Sequence, residues 1–151
     1  MINNLLKDYF VNNNLTLGSV ESFTGGAFAS HITKIPGASN FYKGTIVSYA
    51  TEIKEKLLGI PAEIIEKHGV VSPEVAALMA TKGKEKLNVD VCVSFTGNAG
   101  PVSMENKPVG LIYIGIADND GVKVYDYLLK GSRVEIQLEA ISLVEKILLK
   151  K

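Results

Sequence analysis

Ser22 stands in Val20-Glu21-Ser22-Phe23-Thr24-Gly25-Gly26, at the end of an apolar stretch and just before a glycine pair. A serine hydroxyl is a poor nucleophile until a base takes its proton. A strand-to-helix turn would hold this side chain above a sheet edge and aim free helix N–H groups at a nearby anion. Gly25 and Gly26 let backbone approach a ligand closely, and Thr24 can cap the helix or touch that ligand. The same pattern equally fits a Ser22 or Thr24 that only caps a helix, with glycines that only pack. Glu21 points to the opposite strand face from Ser22 and is expected to be structural, bonding backbone groups.

A base is available in Tyr49-Ala50-Thr51-Glu52-Ile53-Lys54. Lysine serves as a general base when burial or nearby positive charge lowers its pKa, and a Ser–Lys pair is an alternative to Ser–His–Asp. The residue pattern alone does not choose Lys54, because Glu52–Lys56 also reads as a solvated helix face with Glu55 and Lys56 as its equals. His31 falls inside a helix, and His68 precedes a closing glycine. No His, Cys or Asp spacing resembles a metal site. The single cysteine, Cys92, lies in the apolar run Val89–Phe95 and reads as a core residue.

Two further segments could meet a ligand. Phe95-Thr96-Gly97-Asn98-Ala99-Gly100-Pro101 follows a buried strand, and ligands collect at the C-terminal ends of such strands. It is neither a Walker loop nor a dinucleotide fingerprint, and a plain tight loop would look the same. Arg133 opens the last helix, where the dipole disfavours a cation. A phosphate or carboxylate bound bidentately would explain it; so would pairing with Glu135.

The elements that must position these residues alternate along the chain. Ile2, Leu5, Leu6, Tyr9 and Phe10 recur at helical spacing. Leu15–Glu21 reads as a strand, Thr24–Ile35 as a helix and Gly44–Tyr49 as a strand. Thr51 is expected to cap a helix to Leu57, and Pro61–His68 forms another. Ser72-Pro73-Glu74 starts a helix to about Leu87. Val89–Thr96 is apolar enough for a strand buried on both faces. Asn119-Asp120-Gly121 should turn Val109–Ala117 into an antiparallel Val122–Leu129. Ser132 and Glu135 make a capping-box pattern for a last helix, with Val134, Leu138, Ile141, Val144 and Leu148 on one face. The sum is a single-domain three-layer α/β/α fold over residues 1–151, with a mixed, mostly parallel sheet and a late antiparallel hairpin.

Composition narrows the function classes. Lys plus Arg and Asp plus Glu are 16 each, so the net charge is zero, which argues against a large nucleic-acid-binding face. No apolar run approaches the ~20 residues that span a bilayer, and Met1–Phe10 does not resemble a signal peptide. One lone cysteine fits a reducing, cytoplasmic compartment.

In their order, Glu21–Gly26, Pro36-Gly37-Ala38-Ser39, Tyr49–Lys54, Leu58-Gly59-Ile60, His68–Ser72, Thr96–Pro101 and Lys107-Pro108-Val109-Gly110 resemble the CinA C-terminal domain family. These are nicotinamide-nucleotide amidohydrolases, or NMN deamidases. The resemblance covers nearly the whole chain. It implies hydrolysis of nicotinamide mononucleotide (NMN) to nicotinate mononucleotide and ammonia, with no metal or organic cofactor. It implies Ser22 as nucleophile, Lys54 as base and Tyr49 as an aid to proton transfer or orientation. Thr24, Gly25, Gly37, Ser39, Thr96, Gly97, Ala99, Gly100 and Arg133 would bind substrate, and helix-start N–H groups would hold the oxyanion. A homo-oligomer is expected; nucleic acid and membrane partners are not. Three departures stand out: Phe23 where the family has cysteine, Asn98 for an apolar residue, and Val102-Ser103-Met104 for a glycine-rich run. They leave two alternatives open, a catalytically silent pyridine-nucleotide-binding module and a competence-related interaction protein.

Overall fold

The computed structural model describes residues 2–150, and side chains from residue 4 onward. Five strands form one sheet in the order β2-β1-β3-β4-β5. The strands are β1 (Leu17–Glu21), β2 (Tyr42–Val47), β3 (Val91–Gly97), β4 (Leu111–Asp118) and β5 (Gly121–Leu128). β1 pairs in parallel with β2 and with β3, and β3-β4 and β4-β5 are antiparallel. The late hairpin is therefore present, and four of the five strands share a direction.

Six helices cover both faces: α1 (Ile2–Asn12), α2 (Ala27–Thr33), α3 (Thr51–Leu58), α4 (Ala62–His68), α5 (Pro73–Leu87) and α6 (Arg133–Leu149). Strand alternation sorts the core into two layers. Leu17, Val91, Val93 and Phe95 pack with Leu6 and Phe10 of α1, Phe28 and Ile32 of α2, and Ile136 and Val144 of α6. Val20 and Cys92 face the other way, onto Leu58 of α3 and Val75 and Met79 of α5. Cys92 is a buried free thiol, whose pKa burial pushes up to about 12. β1 and β3 are buried on both faces almost throughout, as central strands of a covered sheet must be.

Local signals explain most boundaries. Ser72 accepts from the Val75 N–H, and Pro73 occupies the first turn of α5. Ser132 and Glu135 complete a capping box on α6. Two expectations need correction. Thr51 does not cap α3: Ala50 holds the cap position without a side-chain bond, and Thr51 is the first helical residue. On α6, Val134 and Leu138 are each 60% exposed, while Ile136, Ala140, Ile141, Val144 and Leu148 are buried. The buried stripe repeats at steps of four from Ile136, and Val134 and Leu138, each two residues from it, stand about 200° around the helix. The Ile2 side chain, expected on the apolar face of α1, lies outside the described side chains. Among the described residues no helix is long and apolar enough to cross a membrane.

Candidate active site

β1 lies between β2 and β3, and the C-terminal ends of these parallel strands meet where the strand order reverses, a place that favours ligand crevices. Alternation then divides two neighbouring residues. Glu21 faces the α2 layer and Ser22 faces the α3 layer. The Glu21 carboxylate is fully buried and accepts from the N–H groups of Gly26 (3.1 Å), Phe28 (2.9 Å) and Ala29 (3.0 Å). Hydroxyls of Ser19 and Thr45 also donate to it. Glu21 thus supplies the negative charge at the start of α2, where free N–H groups favour an anion. The expected use of those helix N–H groups for an oxyanion is therefore corrected, since Glu21 already takes three of them. The N–H groups of Phe23 and Thr24, next to Ser22, have no acceptor among the described residues.

Ser22 meets Lys54 on the α3 side. Lys54 is 1% exposed, because it shares a helix face with Leu58 four residues on, and both turn inward. Lys56 is exposed, so tertiary packing separates two lysines that look alike in sequence. Lys54 Nζ donates to Ser22 Oγ (2.9 Å), to the Ser48 carbonyl (2.7 Å) and to the Tyr49 carbonyl (3.2 Å). Burial lowers its pKa from 10.5 to about 8, with the Glu105 carboxylate working in the opposite direction. A neutral amine has two N–H donors and one lone pair. With the two carbonyls taking the N–H bonds, the lone pair remains for the Ser22 proton.

These groups open onto a cavity of about 160 Å³ lined also by Phe23, Val70, Thr96, Gly97, Asn98, Ala99, Gly100, Val102 and Met104, with Tyr49 and Arg133 at its edge. Tyr49 contributes in an unexpected way. Its ring is 61% exposed, and its hydroxyl accepts from Arg133 Nη2 (2.9 Å); the atom that reaches Lys54 is its main-chain carbonyl. Arg133 Nη1 donates to the Gly100 carbonyl (2.6 Å), so this guanidinium bridges the Tyr49 hydroxyl and the β3–β4 loop. It does not pair with Glu135, whose carboxylate bonds the Ser132 N–H.

The departures from the resemblance find physical explanations. The Phe23 ring turns into the core, edge-on to Phe95, while its carbonyl accepts from Gln137 Nε2. Asn98 is 1% exposed and joins both ends of its loop: Nδ2 donates to the carbonyls of Lys107 and Pro108, and Oδ1 accepts from the Gly100 N–H. Val102 and Met104 form an exposed apolar lip.

Not every expected residue reaches this cavity. Gly37 and Ser39 line a separate, wider cavity of about 590 Å³ between α2 and β2, with Thr33, Tyr42 and Lys43. It is larger but holds neither the serine nor the lysine, so size does not decide where the chemistry is. Gly25 is exposed and Thr24 is buried with its hydroxyl unpartnered; neither lines the Ser22 cavity. Conversely, Val70 and the Ser48 carbonyl join the site without a signal in the sequence, because a wall residue or a carbonyl carries none of its own type.

Comparison with known proteins identifies the family and the fold. The family model for the CinA C-terminal domain matches residues 1–151. A Geobacillus sp. (strain WCH70) protein named "Putative competence-damage inducible protein" is 42% identical over 137 residues, which cover 90% of this chain and 33% of that protein. A CinA-like protein of Prochlorococcus marinus is 44% identical over 124 residues, covering 81% of this chain and 29% of its own. The chain thus spans about a third of the length of these curated relatives. The solved competence/damage inducible protein CihA of Agrobacterium tumefaciens superposes with a TM-score of 0.91 at 28% identity, covering 99% of this chain and 96% of its own. A Klebsiella pneumoniae competence damage-inducible protein A superposes at 0.97 and 20% identity, over 99% of this chain and 94% of that one, a likeness of fold alone.

Proposed function

The chain belongs to the CinA C-terminal domain family, and from that premise we propose that it is an amidohydrolase that converts NMN and water to nicotinate mononucleotide and ammonia. The observation that carries this reading is the buried Lys54 Nζ, 2.9 Å from Ser22 Oγ and tied to two carbonyls. A binding module has no use for a buried amine beside a serine, since burying it opposes its charge.

The chemistry follows from the positions. Lys54, as the neutral amine, takes the Ser22 proton while Oγ attacks the carboxamide carbon. The oxyanion forms beside the Phe23 N–H, the free donor next to Ser22 that borders the cavity, and a fixed donor of this kind is often the largest catalytic contribution. The tetrahedral adduct collapses, the C–N bond breaks, and Lys54 returns its proton to the departing ammonia. Water, deprotonated by Lys54, then cleaves the Ser22 ester and releases nicotinate mononucleotide. The pyridinium ring of NMN is cationic, which makes the carboxamide carbon more electrophilic and disfavours a second positive charge on Lys54.

A cavity of about 160 Å³ suits the carboxamide and its ring rather than a whole nucleotide. The ribose phosphate would lie outside, toward Tyr49 and Arg133. A phosphate matches the guanidinium bidentately and would replace its present acceptors. Ammonia release from NMN by the purified protein, compared with Lys54→Ala, tests the reading. Release by the wild type and its loss in a folded variant is expected; equal release by both would remove Lys54 from the mechanism.

A further inference from the structure

The β3–β4 loop crosses over the segment that precedes α5, and the contact is built in detail. Met104 and Lys107 close a tight turn, with the Lys107 N–H donating to the Met104 carbonyl (2.8 Å). Both central residues, Glu105 and Asn106, sit at positive φ, 57° and 58°. That is uncommon for glutamate and persists only where surroundings enforce it. Here the turn aims the Glu105 carboxylate at the N–H groups of Val70 (2.9 Å) and Val71 (3.1 Å). Lys107 Nζ lies 3.3 Å from the same carboxylate and donates to the carbonyls of His68 and Val71.

The receiving segment is shaped for this contact. Gly69 has φ +81°, which favours glycine, and a Cβ there would stand 2.5 Å from Glu105 Oε1 and push the carboxylate aside. Val70 belongs to the wall of the Ser22 cavity, and its carbonyl accepts from Thr96 Oγ1 (2.7 Å), another wall residue. One charged pair therefore fixes the wall opposite the nucleophile.

We propose that Glu105 is a positioning residue for the Ser22–Lys54 pair: held by Lys107, it clamps the Gly69–Val71 wall and sets the charge that Lys54 faces. The inference rests on reading Ser22 and Lys54 as nucleophile and base. Lys54 faces Ser22 at the end of β1 and the Ser48 and Tyr49 carbonyls after β2; the charge of Glu105 on the β3–β4 loop acts on it, and Arg133 on α6 lines the same cavity. Glu74 on α5 is near His68 instead. Glu105 is the carboxylate that acts on Lys54, against the effect of burial. Burial also raises the Glu105 pKa, but the two N–H groups and Lys107 outweigh it and hold the carboxyl below its ordinary value, so it stays ionised where Lys54 titrates.

Nitrogen-15 NMR of lysine-labelled protein reads the Lys54 midpoint without turnover. Glu105→Gln should lower that midpoint by ~0.5 unit, less than a contact pair would give, and Lys107→Gln, by releasing the Glu105 carboxylate, should lower it by no more than that. The acid limb of the kcat/KM profile with NMN should follow, so Glu105→Gln becomes about threefold more active on that limb. Glu105→Asp should restore the wild-type midpoint. Unmoved midpoints in both variants, or a raised midpoint in Glu105→Gln, would overturn the proposal. If Glu105→Gln does not fold, Lys107→Gln decides alone: a lowered midpoint supports the clamp, and an unmoved or raised one overturns it. A lowered Glu105→Gln midpoint in a protein inactive on NMN would refute the amidohydrolase reading while leaving the charge coupling established.

Discussion

Replacing Lys54 by methionine should abolish an alkaline rise in stability that the wild type owes to this one residue. Burial lowers the folded-state pKa from 10.5 to about 8. Between those values the unfolded chain holds a proton that the folded chain lacks, so stability increases as pH rises. The slope reaches ~1.4 kcal/mol per pH unit, and the whole window amounts to about 3 kcal/mol. Below about 8 both states are protonated, and the folded protein carries the full cost of a buried ammonium. Buried acids act oppositely. Burial raises Cys92 from 9.0 to about 12 and Tyr42 from 10.0 to about 12, so each loses stability as pH climbs through that range. Their contributions cancel when the variant is subtracted from the wild type. The variant also leaves the Ser48 and Tyr49 carbonyls without their donor, an offset of about 1 kcal/mol each that does not depend on pH. Urea unfolding of both proteins at stepped pH gives the difference directly. Parallel stability curves would refute a depressed Lys54 pKa, and with it the supply of neutral base.

Three further outcomes follow from the same geometry. The kcat/KM for NMN should rise with pH through about 8, the value burial gives Lys54 in the free enzyme; kcat should titrate lower, because the cationic ring sits nearby in the complex. Arg133→Ala should raise KM while changing kcat little, since the guanidinium lies at the cavity edge on Tyr49 and Gly100; a normal KM would contradict it. Glu21→Ala should destabilise the fold by about 3 kcal/mol, because three buried N–H groups at the start of α2 lose their acceptor; denaturant midpoints within error of wild type would refute that role.

What the residues made legible is what strand and helix geometry encode. Adjacent Glu21 and Ser22 had to point to opposite faces, which separates a carboxylate that bonds backbone groups from the serine that meets the cavity. The Ser72-Pro73 start of α5 and the Asn119-Asp120-Gly121 hairpin are local rules. The choice of Lys54 over Lys56 is not local. It depends on which face of α3 meets the sheet, and only the resemblance pointed to it beforehand. The α6 face was misread for a similar reason: Val134 and Leu138 continue an apolar period, but the helix tilts its buried stripe through Ile136 and Ala140. Gly37 and Ser39 were expected at the ligand by resemblance alone, and within this chain they line a different cavity. Glu105 was invisible because its role lies in a left-handed turn and two distant backbone N–H groups.

The central claim is that Ser22 forms an ester with the substrate's acyl group. Quenching the wild type during turnover of NMN and mapping peptides by mass spectrometry tests it directly, beside Ser22→Ala. The account predicts a nicotinate mononucleotide ester on the Ser22 peptide, and a folded Ser22→Ala that releases no ammonia. Undiminished ammonia release by Ser22→Ala would contradict it.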